Sequence, residues 1–312
     1  MADIQRIFNQ GKVDVLAVAR LRAALADTDN IVVGAGVYDG YTARITLKAG
    51  LDCLYMTGAG VTMSRLGMPD LGVATLNDMV EAASMIASLD PTIPLIADAD
   101  TGYGGPLMVG RTVSQYMKAG VAALHLEDQV QAKRCGHLLG KQIVTQDEFV
   151  SRIKAAVLAR EKTPGDIVII ARSDALQSLG YEAARDRLRA AIDAGADVAF
   201  LEGITSKEHG KAICQDLVPT PCLFNCVPGG ASPVMSAQEA RDLGYRLIIF
   251  PGMSLTPVYE GVLAAAEALK MNGIPLNSPI ASSPKKVFEV CGLKECVEFD
   301  KAAGGKSYSD GV

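Results

Sequence analysis

Eight short apolar runs, each bounded by Gly, Pro or Asp, constrain this chain more than any other feature. They occupy residues 31–37, 53–57, 94–98, 122–127, 167–171, 198–201, 222–225 and 247–250. Near-continuous apolar character over so few residues fits parallel strands buried on both faces. Between them lie amphipathic stretches such as 76–89, 146–162, 181–194 and 237–243, which read as helices. Three of the helix ends carry the same stop signal, at Ala119-Gly120, Ala194-Gly195 and Leu243-Gly244. A glycine just past a helix takes the left-handed cap that turns the chain into the next strand. Eight such alternations with no Pro/Ser-rich linker predict one (β/α)8 TIM-type barrel, an α/β fold, over residues 1–312. A doubly wound sheet is the competing arrangement. It is weakened because Gly34 and Gly36 after the first run do not make the Gly-x-Gly-x-x-Gly turn.

The chain continues past the eighth run. Residues 255–271 read as a helix, Pro275, Pro279 and Pro284 punctuate a loop, and 285–291 form a shorter helical stretch. The Gly/Ser-rich end from Ala302 to Val312 is expected to fray. A tail from about 275 to 312 is surplus to a complete barrel, and a neighbouring subunit is the natural surface for its helix.

Composition narrows the function classes. A net charge of −5 without a basic block does not suit nucleic acid, whose phosphates demand clustered Lys and Arg. No apolar run approaches the roughly 20 residues of a membrane span, and Met1-Ala2-Asp3-Ile4-Gln5-Arg6 lacks a signal-peptide core, so a cytoplasmic protein is expected. Of seven cysteines, Cys53, Cys214, Cys222 and Cys226 sit in or beside apolar runs, as reduced buried thiols do. No second Cys/His pair accompanies Cys222 and Cys226, which excludes a zinc site there.

In such a barrel the carboxyl ends of the strands converge on one mouth. Read in order, these ends supply Thr57-Gly58, Asp98 and Asp100, Glu127-Asp128, Arg172 and Asp174, Glu202, and Asn225. Any one charged strand end could simply meet water; a run of carboxylates with an Arg and an Asn at consecutive ends points to a shared site. Asp98-Ala99-Asp100-Thr101-Gly102-Tyr103-Gly104 places two carboxylates ahead of a glycine turn, suited to a hard cation such as Mg2+. Lys133-Arg134-Cys135-Gly136-His137 lies in a connection of about residues 128–145, longer than the usual βα loop and read as a lid. A cysteine among Lys, Arg and His is expected to be exposed, with a lowered pKa. His125 reads as packed within a strand, and His209 as lying on a helix surface.

These motifs, Asp-x-Asp-Thr-Gly-Tyr-Gly, Leu126-Glu127-Asp128-Gln129 and Lys-Arg-Cys-Gly-His, resemble the isocitrate lyase/phosphoenolpyruvate mutase superfamily, from about Val33 through Pro251. The resemblance implies a (β/α)8 barrel whose last helix swaps between paired subunits, giving a homotetramer built as a dimer of dimers. It implies Mg2+, with Mn2+ as a substitute, held by Asp98 and Asp100, with Asp70 and Glu127 behind them. Thr57, Gly58 and Ala59 would offer backbone donors to a substrate carboxylate. Arg172 would neutralise the oxyanion, Gly136, His137, Glu202, Asn225 and Pro251 would shape the pocket, and Cys135 would be the acid/base thiol on the lid; Cys135, Arg172 and Glu127 are the catalytic set.

Within the superfamily the chain resembles the branch of dimethylmalate lyases, oxaloacetate hydrolases and methylisocitrate lyases. Its cysteine-bearing lid departs from the phosphonate-forming mutases, and its length from the isocitrate lyases. Phe250-Pro251-Gly252-Met253 lacks the Arg with which methylisocitrate lyases meet a third carboxylate. Fungal oxaloacetate hydrolases carry Ser where this chain has Pro251. The expected activity is therefore carbon–carbon cleavage of a small 2-hydroxy dicarboxylate. Oxaloacetate hydrolysis and 2-methylisocitrate cleavage are the alternatives, and a silent metabolite-binding barrel is the non-enzymatic one.

Overall fold

The apolar runs become strands that close on themselves. The computed structural model describes residues 16–276 and 283–308. In it β1 (Val32–Val37), β2 (Leu54–Met56), β3 (Leu95–Asp98), β4 (Ala123–Glu127), β5 (Val168–Ser173), β6 (Val198–Leu201), β7 (Cys222–Asn225) and β8 (Leu247–Phe250) pair in parallel, in chain order. β8 returns to β1 with Val32 opposite Leu247, so the sheet has no edge. The fold is a (β/α)8 barrel.

The helices cover the outside. α1 (Ala17–Ala26) precedes the barrel, and α2 (Gly40–Lys48), α3 (Gly58–Leu66), α4 (Leu76–Ser88), α5 (Pro106–Lys118) and α6 (Gln146–Lys162) follow the first four strands. α7 (Leu176–Asp193), α8 (Lys207–Asp216), α9 (Ala237–Leu243) and α10 (Leu255–Asn272) complete the ring, and α11 (Pro284–Val290) and α12 (Leu293–Ala302) form the tail. Local chemistry explains their ends. Asp39, Thr75 and Ser236 close reciprocal capping boxes, and Gly120, Gly195 and Gly244 take positive φ, as the stop signals required. Gly180 breaks α7 near its start, so the regular helix begins where the sequence places it, at Tyr181.

Strand alternation divides the core in two. One set of side chains, including Leu54, Leu95, Leu124 and Ile169, packs outward under the helices. The other, including Tyr55, Ile96, Val168, Ile170, Phe200 and Leu223, fills the barrel, and Leu21, Ala24 and Leu25 of α1 join it. Arg22 of α1 pairs with Asp166 and Asp197, which precede β5 and β6. α1 therefore closes the amino-terminal end of the barrel.

The tail departs from expectation in extent. α12 extends order through Ala302, where the sequence reading gave no helix between 291 and 302. α11 lies against α2 of its own chain. Pro279, the residues 309–312 of the expected frayed end, and Met1–Arg6 lie outside the described residues. α10, by contrast, buries none of its residues although Val258, Tyr259, Val262, Leu269 and Met271 are apolar. Among the described residues, no helix is long and apolar enough to cross a membrane.

Candidate active site

The interior phase of each strand, continued one step past the apolar filling, gives the site. Ile96 leads to Asp98, His125 to Glu127, Ile170 to Arg172, Phe200 to Glu202 and Leu223 to Asn225. Period-two alternation brings these polar side chains to one end of the same interior column. Below them is a layer of rings. Tyr55 Oη lies 2.9 Å from His125 Nε2, His125 meets Phe200 edge to face, and the Arg172 guanidinium sits 5.2 Å over the Phe200 ring. Burial lowers His125 to a pKa of about 3, so the ring is neutral and serves as packing, as read from the sequence.

Arg172 is the hub. It lies 2.8 Å from Asp174, 3.2 Å from Glu127 and 3.4 Å from Glu202. Asn225 donates to Glu202 Oε2 at 2.9 Å, and the Gly203 N–H donates to Oε1 at 2.7 Å. Asp98, Asp100 and Glu127 are all buried. Burial raises Asp98, Asp100 (to about 6) and Glu127, the last well above the usual carboxylate range. Glu127 Oε1 has no hydrogen-bond partner among the described residues.

The lid is closed over this group. Gln129 and Ile143 bridge antiparallel, and Val130 N–H donates to Gln142 while Val144 N–H donates to Asp128, so residues 131–141 form a flap on a paired stem. Lys133 carries a cation into the mouth, pairing with Asp70 and, at 2.6 Å, with Asp100. Gly136 rests against Arg172 and Glu202 so closely that a Cβ would overlap both. His137 Nδ1 accepts from the Ala231 N–H at 3.1 Å, and its Nε2 lies 3.3 Å from Asn225 Nδ2 and 3.7 Å from Glu202.

Two expectations need correction. Cys135 is half-buried, and burial pushes its thiol up, outweighing the hydrogen bond from the His137 backbone. The neighbouring cations do not face it: Lys133 turns to the aspartates and Arg134 to the Leu139 carbonyl. Thr57 is not a free backbone donor either. Its N–H is committed to the Val37 carbonyl, and its hydroxyl caps α3. Gly58 and Ala59 occupy the first turn of α3, where N–H groups have no partner inside the helix. Gly58 must lack a side chain there, because a Cβ would lie 2.5 Å from Asp98 Oδ2.

The family model described as phosphoenolpyruvate phosphomutase matches residues 21–270. The chain belongs to this family. It is 53% identical to a crystal structure of 2,3-dimethylmalate lyase, a PEP mutase/isocitrate lyase superfamily member, with a TM-score of 0.93 over 96% of this chain and 99% of the other. Oxaloacetate acetylhydrolase bound to 3,3-difluorooxalacetate is 50% identical, with a TM-score of 0.91 over 94% and 99%. The 2-methylisocitrate lyase of Salmonella typhimurium is 42% identical over 82% of this chain and 85% of its own length.

This chain, a member of the phosphoenolpyruvate phosphomutase family, brings Asp70, Asp98, Asp100, Glu127, Arg172, Glu202 and Asn225 together with the lid residues Cys135, Gly136 and His137, and sets Gly58 against Asp98. Pro251 directly follows β8 and packs against Gly36 of β1. Sequence reading missed Lys133 and Lys141 as site residues, although the first stands in a motif already singled out. It also missed the buried support under Arg172. There Asp128 accepts from Ser173 (2.8 Å), the Asp174 N–H (2.8 Å) and Arg187 (2.7 Å).

Proposed function

We propose that the chain is a magnesium-dependent carbon–carbon lyase, cleaving a 2-hydroxy dicarboxylate of the 2,3-dimethylmalate type to a 2-oxo acid and a carboxylate. The observation that carries this is a half-buried lid thiol, Cys135, on a flap lying over Arg172 and buried carboxylates. A C–C cleavage that leaves a carbanion needs an acid held dry and a cation beside it.

The donor set fits a hard divalent ion. Asp98 and Asp100 offer buried oxygens, Glu127 keeps one unpartnered oxygen behind them, and neither Cys nor a charged His competes. Among the described residues no three acidic, His or Cys side chains form a ready-made cage. Mg2+ does not require one, since it is commonly bound by one or two carboxylates and keeps several waters. When bound, it would supply Lewis-acid polarisation of the substrate oxygens at C1 and C2.

This chain's residues account for the rest. The ionised form of Glu127, held beside Arg172 at 3.2 Å, accepts the C2 hydroxyl proton, the electron pair forms the C2 carbonyl, and the C2–C3 bond breaks. Arg172 and the first-turn N–H groups of Gly58 and Ala59 hold the charge gathering on the departing carboxylate. The Cys135 Sγ proton passes to C3. The closed flap excludes water that would compete for that carbon.

A working unit of one barrel domain with a tail arm, in a cytoplasmic homotetramer built by helix exchange, completes the reading. The apolar, unburied face of α10 supports it, as does the adjoining groove of about 610 Å³ lined by Tyr38, Met63, Leu255 and Tyr259.

Hydrolysis of oxaloacetate is the second reading, favoured by the high similarity to the acetylhydrolase and opposed by Pro251 in place of Ser. The test is product analysis of purified protein with Mg2+, offered 2,3-dimethylmalate, oxaloacetate and 2-methylisocitrate separately. Pyruvate from dimethylmalate without oxalate from oxaloacetate is expected, and C135S should abolish it. Rapid oxalate formation would overturn the lyase reading, and succinate from 2-methylisocitrate would redirect the substrate to a tricarboxylate.

A further inference from the structure

We infer that Lys141 is the positioning residue that couples closure of the flap to the aim of Arg172. Its side chain is almost fully buried at the far root of the flap. The ammonium donates to the Gly136 carbonyl at 2.7 Å and to Asp174 Oδ1 at 2.9 Å. Gly136 is the lid residue pressed on Arg172, and it adjoins Cys135. Asp174 is the carboxylate that grips Arg172, at 2.8 Å through Nε and 3.1 Å through Nη2. One ammonium thus ties the crest of the flap to the residue that orients the guanidinium.

The arrangement is stiff at its base and conditional at its top. Asp174 is fixed from below, because its N–H donates to Asp128, which is itself pinned by Ser173 and Arg187. The Gly136 carbonyl belongs to the flap and leaves with it. Opening therefore costs the ammonium one of its acceptors while Asp174, beside the stem, keeps it in a poorly solvated site, which favours the closed state. Closing restores that bond and seats Gly136 against a guanidinium already held by Asp174. Cys135 is delivered together with Gly136, so acid and oxyanion partner arrive in register. This role rests on reading residues 128–145 as a lid, but not on the identity of the substrate.

The test is the accessibility of Cys135 in the full-length protein without substrate, read by peptide mass spectrometry during iodoacetamide labelling. The labelled peptide separates Cys135 from the exposed Cys291 and Cys296. K141M keeps the stem and removes the donors. It should label on the order of tenfold faster at Cys135 than wild type. Its kcat should fall by a similar or larger factor, with the melting temperature within a few degrees of wild type. K141R keeps charge and donors and should restore slow labelling and most of kcat. If K141M does not fold, K141Q replaces it with the same expectations. Unchanged Cys135 labelling in a folded K141M or K141Q overturns the inference. So does a loss of kcat with labelling unmoved, and so does failure of both variants to fold, which would make the ammonium a support of the core. A failed lyase assignment would appear in product analysis and leave the labelling readable.

Discussion

Replacing Gly136 with Ala adds one methyl group at the tightest point of the closed lid. The added Cβ would overlap the Arg172 guanidinium and stand 2.6 Å from Glu202 Cγ and 2.9 Å from Cδ. Ordinary carbon contacts lie at about 3.5–4.0 Å, so one side must retreat by about 1 Å. Glu202 cannot yield readily, since Gly203 and Asn225 hold both its oxygens. The flap gives instead, and Cys135 moves with it. A misplacement of about 1 Å costs on the order of 100-fold in rate, or ~2.7 kcal/mol of barrier. Gly136 is not among the glycines with positive φ, so Ala is not strained there by its backbone. Lower entropy of the unfolded chain would then stabilise G136A by ~0.4–1 kcal/mol, provided the flap is free to shift. The variant should therefore lose about two orders of magnitude in kcat while melting no lower than wild type. Steady-state kinetics beside thermal unfolding checks both signs together. Wild-type turnover in G136A would refute the close approach, and a melting point several degrees lower would show that the flap cannot move aside.

Three further outcomes are expected. D98N keeps the shape of the side chain but removes a formal charge, so Mn2+ affinity measured by calorimetry should fall at least about tenfold; full activity of wild-type protein in excess chelator would refute the metal reading. Because burial raises the Cys135 thiol, its labelling should climb only above the ~8.5 midpoint of a free cysteine. A Cys135 midpoint at or below that value would contradict the acid role. Val262 is exposed on the apolar face of α10, so V262D should yield smaller species by light scattering with unchanged circular dichroism; an intact assembly would remove α10 from the subunit interface.

The barrel was legible because parallel strands buried on both faces must be apolar along their whole length. Glu127, Arg172 and Glu202 were legible because a charge one step beyond such a run can lie on the same interior phase. What escaped was non-local. Nothing near Lys141 in sequence announces Asp174, 33 residues away. The setting of Cys135 was misread for a related reason: adjacency in sequence supplied cations, while folding sent Lys133 to Asp100 and Arg134 to a carbonyl, leaving burial to govern the thiol. α12 was passed over beside the glycine-rich end, though Leu293, Val297 and Phe299 with interspersed charges suit a short helix.

With α1 seated across its base and side chains packed through its interior, the barrel is open at one end only among the described residues. Substrate, both products and solvent share that rim. The fragment released last must retrace the route by which the next molecule arrives, so departure and arrival are mutually exclusive. Occupancy of the rim, rather than bond cleavage, then sets the pace once chemistry is fast. Competitive inhibition by the lingering product is the kinetic trace of such a dead end.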